Sequence, residues 1–106
     1  MTGKSTAQRE LISKANLRGL WAHDAERAHE LVRVTRQFGG LNPWDDAASI
    51  TIHYQFGDGL PGRLYDLWLN NGKEHSGVYT SVDEALDRVM EFFDAREAQF
   101  RLGARL

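Results

Sequence analysis

Ile50-Thr-Ile-His-Tyr-Gln-Phe56 alternates apolar and polar side chains. A period of two puts Ile50, Ile52, Tyr54 and Phe56 on one face and Thr51, His53 and Gln55 on the other. That is the pattern of a half-buried strand. Gly57-Asp-Gly-Leu-Pro-Gly62 comes next, and its glycines and proline read as a turn. Arg63-Leu-Tyr-Asp-Leu-Trp-Leu69 alternates again, with Tyr65, Leu67 and Leu69 on one side and Leu64, Asp66 and Trp68 on the other. Asn71-Gly72 is the strongest hairpin signal in the chain, because a two-residue type I′ turn requires positive φ at both central positions, which Asn and Gly tolerate. A third strand is expected over 74–79. Three strands joined by short turns predict an antiparallel meander over about 49–79.

Outward from this core, both flanks read as helical. Ser81-Val-Asp-Glu84 has capping-box spacing. Ala85, Leu86, Val89, Met90 and Phe93 then recur at helical spacing, which predicts a helix over 82–100 that stops before Gly103. On the other flank, Ser5 and Gln8 have the same capping spacing, with Leu11, Ile12 and Ala15 behind them. Ala25, Ala28, Leu31, Val32, Thr35 and Phe38 continue at helical intervals, with Asp24 as an N-cap and Gly39-Gly40 as a stop. The expectation is a helical region over 5–38, as one helix or as two broken near Leu17–Trp21, with residues 1–4 frayed. Unbroken, it would be roughly 50 Å long at ~1.5 Å per residue. The fold class is therefore α+β, in the order α-β-β-β-α, within one domain of 106 residues.

Composition narrows the chemistry. The chain has no cysteine, which excludes disulfides, thiolate metal sites and cysteine nucleophiles. Met1 to Glu10 carries no apolar stretch, so no signal peptide is expected, and no apolar run approaches the ~20 residues of a membrane span. A cytoplasmic location and no membrane partner are the corresponding expectations. The net charge of −2 is unevenly spread: residues 1–40 carry seven Lys/Arg against four Asp/Glu, and residues 41–80 carry two against five.

Catalytic patterns are weak. His23 and His29 lie six residues apart, about 600° around a helix, and do not pair. His53, His75 and Asp66 could meet on one sheet face, but a metal site needs more ligands at recognisable spacing. The adjacent acids Asp45 and Asp46 read as capping a short turn after Pro43-Trp44. The glycines after Phe56 lead into a strand, so no helix N-terminus is aimed at a phosphate. No Gly-x-Ser-x-Gly elbow is present. The chain is not expected to be an enzyme or to hold a cofactor.

Surfaces carry more information. With Val78 and the Ile50 set facing the core, the opposite sheet face would hold His53, Asp66, Trp68 and Tyr79. That is an aromatic platform of the kind that binds proteins or bases. Trp44, Asp45 and Asp46 add a loop contact. Small bacterial or phage-encoded modulators have this size and lack catalytic groups. The expectation is a non-catalytic regulator, adaptor or stoichiometric inhibitor that binds a macromolecule, a protein in first place, with homodimerisation through open sheet edges or the N-terminal helix as a further mode. The alternatives are a nucleic-acid binder using Arg9, Lys14, Arg18, Arg27, Arg33 and Arg36, and a small enzyme or metal protein.

Gly77-Val-Tyr-Thr-Ser-Val-Asp-Glu-Ala-Leu-Asp-Arg-Val89 resembles the last strand and helix of a plant DNA-binding domain family built on three antiparallel strands. The element order also resembles that of a double-stranded-RNA-binding domain. Either resemblance implies nucleic-acid binding. The basic side chains those surfaces use have no counterpart here: strands two and three offer only Arg63 and Lys73, and the last helix opens with Asp83, Glu84 and Asp87. No functional residue is carried over from either family.

Overall fold

The computed structural model describes residues 6–24, 31–37, 43–55 and 62–105, and only the backbone of Pro43, Asp45, Gln55, Ala104 and Arg105. Along the chain run α1 (Thr6–Leu17), β1 (Trp21–Asp24), β2 (Leu31–Thr35), a 3-10 turn (Pro43–Asp46), β3 (Ala48–Gln55), β4 (Gly62–Leu69), β5 (Glu74–Tyr79) and α2 (Val82–Arg105). The class is α+β. The sheet has five strands among the described residues, in the order β1-β2-β3-β4-β5, and every neighbouring pair is antiparallel.

The sheet is thus wider than the expected three-stranded meander, and the expected helical region over 5–38 ends at Leu17. The stop is chemical. Gly19 takes φ +79°, its N–H donates to Asn16 O at 3.0 Å, and the Leu20 N–H reaches back to Ala15 O at 3.0 Å. These are the two bonds of a Schellman cap, and Leu20 is buried behind it. Beyond the cap the chain enters strand β1, not a second helix. Leu31, Val32 and Thr35 fit a helical period, but Val32 and Val34 also alternate, and β-branched residues favour the pleated backbone. Asp24 closes β1, and residues 25–30, the start of the helix it is expected to cap, lie outside the described residues. Ser5, Ala25, Ala28, Phe38, Gly39, Gly40 and residues 1–4 lie outside the described residues.

Both described helices lie on one face of the sheet. Ala7, Leu11 and Ala15 of α1 and Val82, Ala85, Leu86, Val89 and Phe93 of α2 form one buried cluster with Val32, Val34, Ile50, Ile52, Tyr65, Leu67 and Leu69. Gln8 is also buried and turns to the sheet, donating Nε2–H to Leu31 O at 3.3 Å. The N-terminus of α2 is capped as expected, with the Glu84 N–H on Ser81 Oγ at 3.1 Å. The helix does not stop before Gly103 but runs to Arg105. A glycine inside a helix costs about 1 kcal/mol relative to alanine but supplies no left-handed cap by itself.

Between Asn70 and Lys73 the hairpin turn forms at the expected place, with Asn71 at φ +56° and Gly72 at φ +80°. The Lys73 N–H donates to Asn70 O at 3.2 Å. One residue further along β5 the ladder slips. Trp68 pairs with His75 and Leu67 with Gly77, which leaves Ser76 as the extra residue of a bulge. Gly77 takes φ +146°, a backbone conformation that L side chains rarely adopt.

Candidate functional site

The bulge decides which side chains face outward. In a regular ladder Val78 would follow Tyr65 onto the core face and Tyr79 would point away. With Ser76 inserted, Val78 pairs with Asp66 and is 52% exposed, while Tyr79 pairs with Tyr65 and packs against the core. The expected places of these two residues are therefore exchanged. Tyr79 leaves the outer platform and hydrogen-bonds Ser76 Oγ through its hydroxyl at 3.0 Å. The signal was a glycine inside a strand, a common mark of a bulge.

The face turned away from the helices carries Trp21, His23, Arg33, Ser49, Thr51, His53, Leu64, Asp66, Trp68, His75 and Val78. No described helix lies over it, and its one fully buried described residue is Thr35, at the end of β2. One row crosses every strand: His23 beside Arg33, Arg33 beside Ser49, Ser49 beside Trp68, Trp68 beside His75. At ~4.8 Å per strand the row is about 19 Å long.

Two clusters mark its ends. At the β4–β5 end, the Asp66 carboxylate accepts the Nε2–H of His75 at 2.6 Å and the indole N–H of Trp68 at 3.3 Å. The two rings lie 4.6 Å apart, tilted by 41°. A carboxylate only accepts, so His75 carries a proton on Nε2. At the β1–β2 end, Trp44 of the 3-10 turn packs edge-on against His23 at 4.5 Å, and the Arg33 guanidinium sits 5.5 Å from the Trp44 ring centroid. Arg33 also donates to Trp44 O at 3.2 Å and Asn71 Oδ1 at 3.4 Å, tying the turn to the hairpin.

Of the residues expected to bind a partner, Asp66, Trp68 and His53 share this face, with His53 exposed beside Leu64. Trp44 joins it from the 3-10 turn, Asp46 is half-buried on that turn, and the Asp45 side chain lies outside the described residues. His75, which the sequence could place on one face with His53 and Asp66, does meet Asp66 there, whereas His23, Arg33 and Val78 were not assigned to the platform from the sequence. The places of His23 and Arg33 depend on β1 and β2, and that of Val78 on the bulge.

The basic residues of the nucleic-acid alternative do not gather on one surface. Lys14 pairs with Glu10 and Asp83, Arg18 with Asp83 and Asp87, and Arg36 with Asp94. The hydrogen bond to Asp87 is the largest effect on Arg18 and raises its pKa above the usual arginine value. Arg33 is on the opposite side of the sheet, Arg9 is exposed on α1, and Arg27 lies outside the described residues. Among the described residues no group of three or more His, Asp or Glu is placed to hold a metal, and no described helix is long and apolar enough to cross a membrane.

The chain matches no family model, no curated protein and no solved structure.

Proposed function

We propose that this chain is a non-catalytic binding module of the cytoplasm, a regulator, adaptor or stoichiometric inhibitor that docks a protein through the outer face of its sheet. One observation carries the reading. Both described helices cover the same face, and the other presents Trp21 at 48%, Trp68 at 38% and Val78 at 52% exposure. Aromatic side chains on a rigid sheet lose little entropy on binding and are enriched at interface hot spots. The Trp68 ring is further fixed by its bond to Asp66 and its contact with His75.

Size sets the scale of the contact. Five strands by about five residues offer roughly 400 Å², about half of the ~800 Å² that each partner contributes to a standard interface. A stable partner must therefore also reach the Trp44 turn, which adjoins the same row.

The test is affinity capture from lysate with the full chain and with Trp68→Ala, each with and without nuclease. The reading expects a protein that survives nuclease and is lost in the variant, with the variant's thermal midpoint unchanged. Capture that disappears with nuclease would give the ligand to nucleic acid. Capture indifferent to Trp68 would remove the sheet face from the interface.

A further inference from the structure

Asp66, Trp68 and His75 form a preorganised shelf whose two halves ask for the same ligand. Each Asp66 oxygen already accepts one N–H, from His75 Nε2 to Oδ1 and from Trp68 Nε1 to Oδ2. These bonds hold the carboxylate in place and leave its remaining lone pairs unassigned, with the side chain still 24% exposed. A carboxylate can take only donors, and another anion there would be repelled. The adjacent Trp68 ring offers a π face, which attracts cations. Among the described residues no Lys or Arg pairs with Asp66 or stacks on Trp68.

The other end of the row shows the completed arrangement. There Arg33 lies over the Trp44 ring and donates to oxygens beside it. The Trp68 shelf has the ring and the acceptor, with His75 against both, but no Lys or Arg of the described residues enters it. On the described outer face Asp66 is the carboxylate of this end, and Arg33 lies at the other end, held by Trp44 and Asn71, so the local charge favours a basic side chain.

We infer that this shelf seats an arginine side chain from a basic segment of a protein partner, its guanidinium on the Trp68 ring and its N–H fork on Asp66. Arginine suits it better than lysine, because a planar fork stacks on the indole and meets a carboxylate together, whereas an ammonium is a compact, strongly hydrated point charge. A phosphate backbone is a poor fit, because it would meet the Asp66 charge. The inference rests on the protein-binding reading and adds the partner's chemistry to it.

The test titrates the full chain with a synthetic peptide alternating arginine with glycine and serine, and with matched peptides carrying lysine or glutamate instead. Calorimetry gives the affinity, and the indole N–H resonances of Trp21, Trp44 and Trp68 give the place. The arginine peptide is expected to bind and to shift the Trp68 resonance, the lysine peptide to bind more weakly, and the glutamate peptide not to bind. Asp66→Asn keeps the side-chain shape without the charge, turning one of the two acceptor oxygens into a donor, and Trp68→Phe keeps a smaller ring. Asp66→Asn, or Trp68→Ala, is expected to weaken the arginine peptide by about fivefold to thirtyfold, and Trp68→Phe by less. No binding of the arginine peptide, equal binding of the glutamate peptide, or affinity indifferent to Asp66→Asn overturns the inference. If Trp68→Ala still abolishes capture of a protein in that case, the face binds protein by other chemistry and only the arginine assignment falls.

Discussion

Replacing Gly77 with alanine tests the bulge on which the makeup of the outer face depends. Gly77 stands at φ +146°. An added Cβ would meet only Tyr79 Oη at 3.9 Å and Cε2 at 4.0 Å, which is ordinary contact. The cost is therefore backbone strain, not a clash, and a residue held in so sparsely populated a region loses about 1–3 kcal/mol. In a domain of this size that lowers the thermal midpoint by roughly 5–20 °C. Urea unfolding followed by far-ultraviolet circular dichroism gives the free energy, provided the denaturant slope is unchanged. Two companion variants read the register directly. Val78→Lys places a charge on an exposed position and should stay within about 0.5 kcal/mol of wild type. Tyr79→Lys removes a ring packed against the core and should cost about 2 kcal/mol or more. A regular ladder without the bulge reverses that order. Gly77→Ala at wild-type stability, together with a costly Val78→Lys, would refute the bulge and return Tyr79 to the outer face.

The packing sets three further outcomes. Leu11→Ala empties a fully buried position between α1 and the sheet and should cost about 2–5 kcal/mol by urea titration. Ser81→Ala removes the oxygen that accepts the Glu84 N–H and should cost about 1 kcal/mol, with no change in the denaturant slope. Gly103→Ala should raise helicity by circular dichroism and add up to about 1 kcal/mol, because the position is helical; a loss of helicity would instead restore Gly103 as the stop.

Much of the sheet was legible because its signals are local. The period-two runs in β3 and β4, the primed turn at Asn71-Gly72 and the Ser81 cap each need only neighbouring residues. β1 and β2 were not legible in the same way. Leu31-Val-Arg-Val-Thr35 is short enough for its apolar positions to satisfy both periods, and the β-branched content of Val32, Val34 and Thr35 was the one discriminating feature. The candidate site divides along the same line. Asp66, Trp68 and His53 could be placed together by alternation alone. The contacts of Trp44 with His23 and Arg33 depend on β1 and β2 being strands. The exchange of Val78 and Tyr79 comes from a single inserted residue, which reverses every assignment beyond it.

The charge asymmetry of the sequence takes a different meaning in the fold. A basic N-terminal part beside an acidic remainder is a mild dipole along the sequence, too weak by charge alone to point to phosphates. Here Lys14, Arg18 and Arg36 meet Asp83, Asp87 and Asp94 of α2, and Arg63 meets Glu10 of α1. Pairs this exposed contribute about 0–1 kcal/mol each, so they are a small part of the stability. Their larger effect is on what the surface can bind. Phosphate binding requires several cations on one face, each releasing counterions. These cations already face carboxylates, and Arg33, on the other side of the sheet, is held by Trp44 and Asn71. On the helical side Lys14, Arg18, Arg36 and Arg63 are thus matched by carboxylates. The outer face differs in kind: Trp68 and Asp66 have no Lys or Arg of this chain paired with them among the described residues. That contrast is why the outer face, and not the basic segment from which a nucleic-acid binder would be read, supports the docking proposal.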